Sequence, residues 1–339
     1  MFSEKHTTVE REIAMKRVLV TGSSGLIGQW VCGKLKDESL TPVGLDVAEK
    51  LSCQSWLSFY QCSIMNKESL SRVFDEVQPD AVIHLAARID LDEKHDLSGY
   101  SANIDGVRNI LNCVRNSRSV RRVIVTSSQL VCKVGYVPQN DTDYCPNTLY
   151  GQSKVETEKI TRQMDGEGKE WCIVRPTTVW GPGMSSHYQN LLKLIRRGWY
   201  FHCGPGKLYK SYSYAGNIAF QYLKMLLAPT EMIHRQTFYL ADYEPLSLRD
   251  YTNELARVMN ASSISTMPLL IAKAIALVGN GLNVIGFRRF SFNSFCLRNI
   301  LTEYRFDMSK TRQVCGELPF SFDDGVKATA EWYLGLYPE

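Results

Sequence analysis

A chain of 339 residues, 44% hydrophobic and 22% charged, is long enough for one large or two modest packed domains and has the balance of an ordinary globular protein. Its net charge of +4 suits an anionic small molecule, and without a concentrated basic stripe it argues against nucleic acid as a partner. Ten scattered cysteines form no CxxC pair and follow nothing that reads as a signal peptide, so reduced thiols in a cytoplasmic protein are expected, with no disulfide frame and no metal site.

Residues 1–15, opening with the polar MFSEKHTTVEREIA, are expected to be a disordered extension that precedes the functional start. The organising stretch follows, KRVLVTGSSGLIGQWVCGKL from Lys16 to Leu35. It reads as a buried strand, a glycine loop and a helix with Ile27, Val31 and Leu35 on one face. Gly22, Gly25 and Gly28 meet three demands of a dinucleotide site: a turn at positive φ, backbone N–H groups open to a pyrophosphate, and close packing of helix on strand. The helix dipole would aim at the phosphates. A glycine-rich loop also makes ordinary turns, so context matters.

That context begins with Asp46, which ends the run from Thr41 near the spacing at which an acidic residue meets the adenosine ribose. Its carboxylate would repel a 2′-phosphate, and Val47 and Ala48 supply no arginine, which favours NAD over NADP. The alternative is an exposed carboxylate at a strand end. A third strand is expected to end at Gln61–Ile64, with Ser63 near the adenine, although an acidic side chain would be the stronger acceptor there.

A helix is expected over Lys67–Val77, broken by Pro79. Ala81–Ala87, AVIHLAA, reads as a central strand covered on both faces, and its small ending leaves room either for a cofactor or for a packed helix. Tyr100–Val114 has helical spacing and contains Asn103. Arg121–Ser128, RRVIVTSS, is a buried strand ending in hydroxyls, at the sheet edge where parallel sheets bind ligands. Tyr150-Gly-Gln-Ser-Lys154 opens a helix to about Met164 and puts a phenol and an ammonium on one helical face.

After a sixth strand at Cys172–Pro176 the regular alternation weakens. Helices are expected at Tyr188–Arg197, from Ser247 onward and at Asp323–Leu334. A turn is expected at Gly204-Pro-Gly206 and a short strand at Phe238–Leu240. This divides the chain into a mainly nucleotide-binding part, 16–183, and a smaller, mainly substrate-binding α/β lobe, 184–339. Met267–Phe287 is the least polar stretch, with Lys273 its one charge. Its Gly279-Asn280-Gly281 interruption favours a core-packed or interfacial helix over a spanning one, which leaves a weak membrane association open.

Taken in order, GxxGxxG, Asp46, the LAA run, Asn103, Ser128, YxxxK and RPxxVxGPG resemble the extended short-chain dehydrogenase/reductases, the NAD-dependent epimerase/dehydratase family. The resemblance implies a Rossmann-type doubly wound α/β fold with a parallel sheet, and NAD as cofactor. It places Gly22, Gly25, Leu26, Ile27 and Gly28 along the pyrophosphate, Ser63 and Ile64 by the adenine, and Leu85, Ala86 and Ala87 behind the nucleotide. Asn103 would support the site, with Pro176 and Thr177 near the nicotinamide. Family members usually carry Asp where this chain has Ser63.

Ser128, Tyr150 and Lys154 would be catalytic, with Ser127 the second choice for the serine. Tyr150 would act as the acid/base, brought toward neutral pH by Lys154, while Ser128 holds the substrate oxygen. Arg88, Ser128, Thr178, Lys210 and Arg298 would face the substrate, Arg298 because it follows the apolar run Phe295–Leu297 and would point inward from a fixed element.

The resemblance further implies a homodimer acting on a nucleoside-diphosphate sugar in polysaccharide biosynthesis. Sugar 4,6-dehydratases carry an Asp-Glu pair after the catalytic Thr, whereas Gln129 and Leu130 follow Ser128 here. A 4-epimerase is therefore expected first, and a 4-keto reductase or oxidase next. A sterol dehydrogenase is the alternative, since Ala215–Ala219 resembles a segment of 3β-hydroxysteroid dehydrogenases; against it, Lys207, Lys210, Arg288, Arg289 and Arg298 offer charge to a diphosphate. A non-catalytic NAD-binding sensor is a third reading.

Overall fold

The computed structural model describes residues 15–91, 93, 95–284 and 292–337. Residues 1–14 of the expected extension, Phe287, and the cations Arg288 and Arg289 lie outside the described residues. The first half alternates as its hydrophobic periods predict: β1 (Arg17–Thr21), α1 (Leu26–Asp37), β2 (Thr41–Asp46), β3 (Ser58–Gln61), α2 (Lys67–Val77), β4 (Ala81–His84), α3 (Ser101–Asn116), β5 (Arg122–Thr126), α4 (Leu149–Met164) and β6 (Glu170–Pro176). The second half contributes β7 (Thr178–Trp180), α5 (Ser186–Arg196), β8 (His202–Cys203), β9 (Tyr209–Lys210), β10 (Tyr212–Tyr214), α6 (Ala215–Leu227), α7 (Thr230–Ile233) and β11 (Gln236–Leu240). It ends with β12 (Leu246–Ser247), α8 (Leu248–Val258), β13 (Thr266–Met267), α9 (Leu269–Val284), α10 (Ser294–Leu301), α11 (Ser309–Cys315) and α12 (Phe322–Leu336).

Seven strands form one parallel sheet in the order β11-β6-β5-β4-β1-β2-β3. Chain order reverses between β1 and β4, so their carboxyl ends open the crevice in which such sheets hold ligands. Val18 and Val20 turn to one face and Leu19 to the other, because side chains alternate along a strand. The first pair packs under α1 and α6 with Val31, Leu35, Ile218 and Tyr222, and Leu19 packs under α2 and α3 with Leu70, Val107 and Ile110. The result is the Rossmann-type doubly wound fold.

Local chemistry explains where elements stop. Asn66 caps α2 by accepting from the Ser69 N–H, and Gln78, left-handed at φ 45°, ends that helix one residue before Pro79. β3 stops at Gln61, short of the expected Ile64, because the Ser63 hydroxyl accepts from the Met65 N–H and turns the chain. β4 stops at His84 because the next two N–H groups, of Leu85 and Ala86, turn to the Thr21 hydroxyl.

The division at residue 183 is less clean than the sequence suggested. α6 packs against α1, and β11 pairs with β6 as an edge strand of the main sheet, so the chain returns to the first part after leaving it. What remains gathers around a separate core of Trp180, Met184, Leu192, Tyr214, Leu255, Val326 and Ala330, closed by α12 on the face expected from its spacing. Asn217, in the segment resembling steroid dehydrogenases, ties this lobe down by donating to Asp242 and to the Phe320 carbonyl. Among the described residues no helix is long and apolar enough to cross a membrane.

Candidate active site

Two glycines shape the floor of the crevice. Gly22 has φ +73°, and a Cβ there would lie 2.7 Å from the Ala86 nitrogen; a Cβ on Gly28 would lie 2.1 Å from the Gly22 carbonyl oxygen. Side chains at either place would push helix and strands apart. α1 starts at Leu26 with Gly25 as N-cap, with no side-chain cap and no acidic residue in its first turn, so the N–H groups of Leu26, Ile27 and Gly28 lie at an uncapped positive helix end. Asp46 stands beside that end, accepting from the Ser24 and Ala48 N–H groups. Each carboxylate oxygen has a further lone pair, which suits a ribose hydroxyl. A dinucleotide therefore fits these residues.

Ser63 is turned into its own loop as described, and Ile64 is buried under Gly106, where a Cβ would come within 2.5 Å of the Ile64 Cδ1. Thr21 holds the loop after β4. Its hydroxyl accepts from the N–H groups of Leu85 and Ala86 and lies 2.8 Å from His84 Nδ1. Burial, with Lys154 nearby, lowers the His84 pKa to about 3, so the ring is neutral; because the Thr21 oxygen already accepts from two N–H groups, its hydroxyl is the donor to Nδ1. Asn103 clamps the same loop from α3: its carbonyl accepts from the Arg88 N–H, and its amide donates to the Arg88 carbonyl and to the Ser153 hydroxyl.

Ser128, Tyr150 and Lys154 converge at the ends of β5 and α4, and all three are buried. Thr148 caps α4 through the Gly151 N–H, which fixes where Tyr150 and Lys154 project. Tyr150 packs at a tilt on Tyr100, ring centroids 6.1 Å apart. Burial pushes its phenol up to about 12, partly offset by a hydrogen bond with Ser128. Lys154 Nζ donates to the Thr126 carbonyl at 3.0 Å, and burial, opposed by Glu158, lowers its pKa to about 8. The ammonium is thus held by the end of β5, a contact that helical spacing alone could not show. Ser127 is turned away from Tyr150 and donates to Glu158 at 2.6 Å, which separates the two serines.

Glu158 is the main residue that sequence reasoning missed. Fully buried one turn beyond Lys154, it takes Arg175 Nε at 2.7 Å and Nη2 at 2.8 Å, along with the hydroxyls of Ser127 and Tyr144. The signal was present in the YxxxKxxxE spacing and in the Arg opening RPTTVWGPG. Gln129 was missed too: its amide oxygen is buried without a hydrogen-bond partner among the described residues, next to Ser128. It shares a small cleft with Tyr304, whose hydroxyl also meets Thr178 at 3.2 Å. Tyr188 is near enough to raise the phenols of both Tyr150 and Tyr304.

Of the residues expected near the nicotinamide, Thr177 bonds to Ser213 and Pro176 ends β6. The expected substrate-facing residues divide, and Thr178 opens β7 beside Tyr304. Arg88, by contrast, is committed to its own loop through Asp90, Glu93 and the Gly99 carbonyl. Lys210 is buried, donates to the carbonyls of Asn299 and Thr302, and has its pKa lowered to about 8 by burial. Lys207 pairs with Asp250. Arg298 does not point inward: of its neighbours Leu297 is buried, whereas Phe295 and Arg298 itself are exposed, because the helical turn separates them.

A Rossmann sheet with its glycine loop at the switch point, an acidic β2 end and a buried Ser/Tyr/Lys group defines the class as a dinucleotide-binding protein of the short-chain dehydrogenase type. The model of the NAD dependent epimerase/dehydratase family matches residues 18–241, and the chain belongs to that family, whose cofactor is NAD. It is 23% identical over 321 residues to the N-acetyl-α-D-glucosaminyl-diphospho-ditrans,octacis-undecaprenol 4-epimerase of Escherichia coli O157:H7, covering 93% of this chain and 94% of that one. It is 24% identical over 349 residues to the 3β-hydroxysteroid dehydrogenase/Δ5→4-isomerase of Mycobacterium tuberculosis, covering 95% and 92%. The solved UDP-glucose 4-epimerase of Thermotoga maritima superposes with a TM-score of 0.72 at 20% identity, covering 94% of this chain and 99% of that one.

Proposed function

We propose that this protein is an NAD-dependent 4-epimerase of a sugar carried on a diphosphate, acting in polysaccharide biosynthesis. The observation that carries this reading is the set of polar groups that follow β5 and β6, with the tyrosines beside them. Ser128, Gln129, Thr178, Tyr188 and Tyr304 offer donors and acceptors to a polyhydroxylated ring, for which a sterol has little use. In support, the E. coli relative acts on a sugar joined by a diphosphate to a polyprenol, and the T. maritima neighbour is a sugar-nucleotide 4-epimerase. The sterol reading keeps one observation in its favour: Lys207 and Lys210, offered to a diphosphate, are already engaged.

In this reading the Gly22–Gly28 loop and Asp46 hold NAD, which supplies reversible hydride acceptance at the sugar carbon. Tyr150 takes the proton from the C4 hydroxyl and later returns it. Ser128, close enough to the Tyr150 phenol to hold its pKa down, binds the same sugar oxygen and keeps it in line with that phenol. Thr126 holds Lys154 in place beneath, and Gln129 accepts from a neighbouring sugar hydroxyl.

Screening sugar nucleotides, polyprenyl-diphosphate sugars and 3β-hydroxysterols for protection against thermal unfolding tests the assignment, since a ligand that binds only the folded state raises its stability. A diphosphate sugar should raise Tm, and protection by sterols alone would replace this reading. Cofactor choice has its own test. Asp46→Asn keeps an acceptor for the loop N–H groups but removes the charge, so the ratio of NADP to NAD dissociation constants should fall roughly tenfold to a hundredfold. A parent protein that already binds NADP more tightly contradicts the role of Asp46.

A further inference from the structure

α9 is built inside out. The side it turns to the protein carries the small residues Ala272, Ala276 and Gly279, against Leu297 of α10. Its outward side carries Leu270, Ile271, Leu277 and Val278, which are 80, 50, 66 and 61% exposed. Positions i, i+1, i+7 and i+8 share one helical face, so the four form a continuous aliphatic stripe about 12 Å long. On α10, packed beside it, Phe295 is also half exposed.

The charge around this stripe identifies what covers it. Between Glu254 and Glu303 the sequence contains no Asp or Glu, although about one residue in ten of the whole chain is acidic. Lys273 and Arg298 are exposed on α9 and α10 themselves. A second copy would set two cationic faces against each other. An anionic lipid surface instead accepts the aliphatic stripe at its acyl boundary and the cations at its headgroups. No helix among the described residues is long and apolar enough to span a membrane, so contact is lateral.

We propose that α9 and α10 dock this protein on an anionic lipid bilayer. The face is coupled to the site: the carbonyls of Asn299 and Thr302 hold Lys210, and Tyr304, two residues further on, meets Thr178 beside Gln129. Docking presents that end of the site to the bilayer surface, whichever substrate it takes.

The test is flotation of the full-length chain with vesicles of phosphatidylcholine alone or with an equal part of phosphatidylglycerol. Anionic vesicles should bind it about tenfold or more better than neutral ones, less so as salt is raised. Leu270→Ser with Leu277→Ser should reduce binding by about tenfold or more, and Lys273→Glu should reduce it on anionic vesicles. Unchanged NAD affinity shows that these variants are folded. A parent that stays in the buffer fraction, or serine variants that float as the parent does, overturns the proposal. So does a dimer in sedimentation that the same substitutions dissociate while vesicle binding is untouched.

Discussion

Replacing Tyr150 by Phe should lower turnover by roughly 10²- to 10⁴-fold while leaving NAD affinity unchanged. The lost hydroxyl is the one whose pKa Ser128 lowers, whereas the ring stays packed on Tyr100 and the glycine loop and Asp46 are untouched. Burial sets the size of the effect. A phenol at about 12 is almost wholly protonated at neutral pH, so its proton moves only where positive charge and the Ser128 hydroxyl lower the cost of the phenolate. Turnover and dissociation constants measured on the same preparation check this. A variant within tenfold of the parent would remove Tyr150 from the acid/base role.

The second large effect concerns stability. Glu158 and Arg175 are both fully buried, joined by two hydrogen bonds, and the remaining carboxylate capacity is filled by Ser127 and Tyr144. Glu158→Gln leaves a buried guanidinium without its counter-charge, which typically costs about 3–5 kcal/mol and, in a domain of this size, about 5 °C in Tm. Replacing both partners, Glu158→Leu with Arg175→Met, should recover part of what Glu158→Leu alone loses, because the Arg175 guanidinium is then no longer left unpaired, while Lys154 and Arg162 still lose their carboxylate. Calorimetry on the three variants decides it; a Glu158→Gln Tm within 1 °C or so of the parent contradicts the pairing.

The parts legible in the sequence are those whose physics is local. The glycine loop, Asp46 at the β2 end, the α2 and α12 faces and the Tyr150/Lys154 spacing each follow from a period or a backbone demand that spans a few residues. The second half was harder because its elements answer to distant partners. The strand at 236–240 completes the main sheet beside β6, more than sixty residues earlier in the chain, a pairing that no local pattern encodes.

Charges were the least legible. Lys210 reads as a free cation, yet it is satisfied by backbone carbonyls near residue 300, and Arg88 by carboxylates and a carbonyl of its own loop. Arg298 was placed inward by the apolar residues before it, but on a helix a neighbour one position away points elsewhere. The apolar run from residue 267 was legible as apolar but not as inverted, since only the packing shows Ala272 and Ala276 inside and Leu270 and Leu277 outside.

Retention of label at C4 tests the central claim most directly. An epimerase must take hydride from one face of the sugar carbon and return it to the other face of the same carbon, while Tyr150 removes and restores one proton. Incubating the purified protein with NAD and a diphosphate sugar deuterated at C4 should therefore yield the C4 epimer with its deuterium kept and no net formation of NADH. Stoichiometric NADH with a free keto sugar or a ketosteroid as product would contradict the epimerase assignment and show a dehydrogenase in its place.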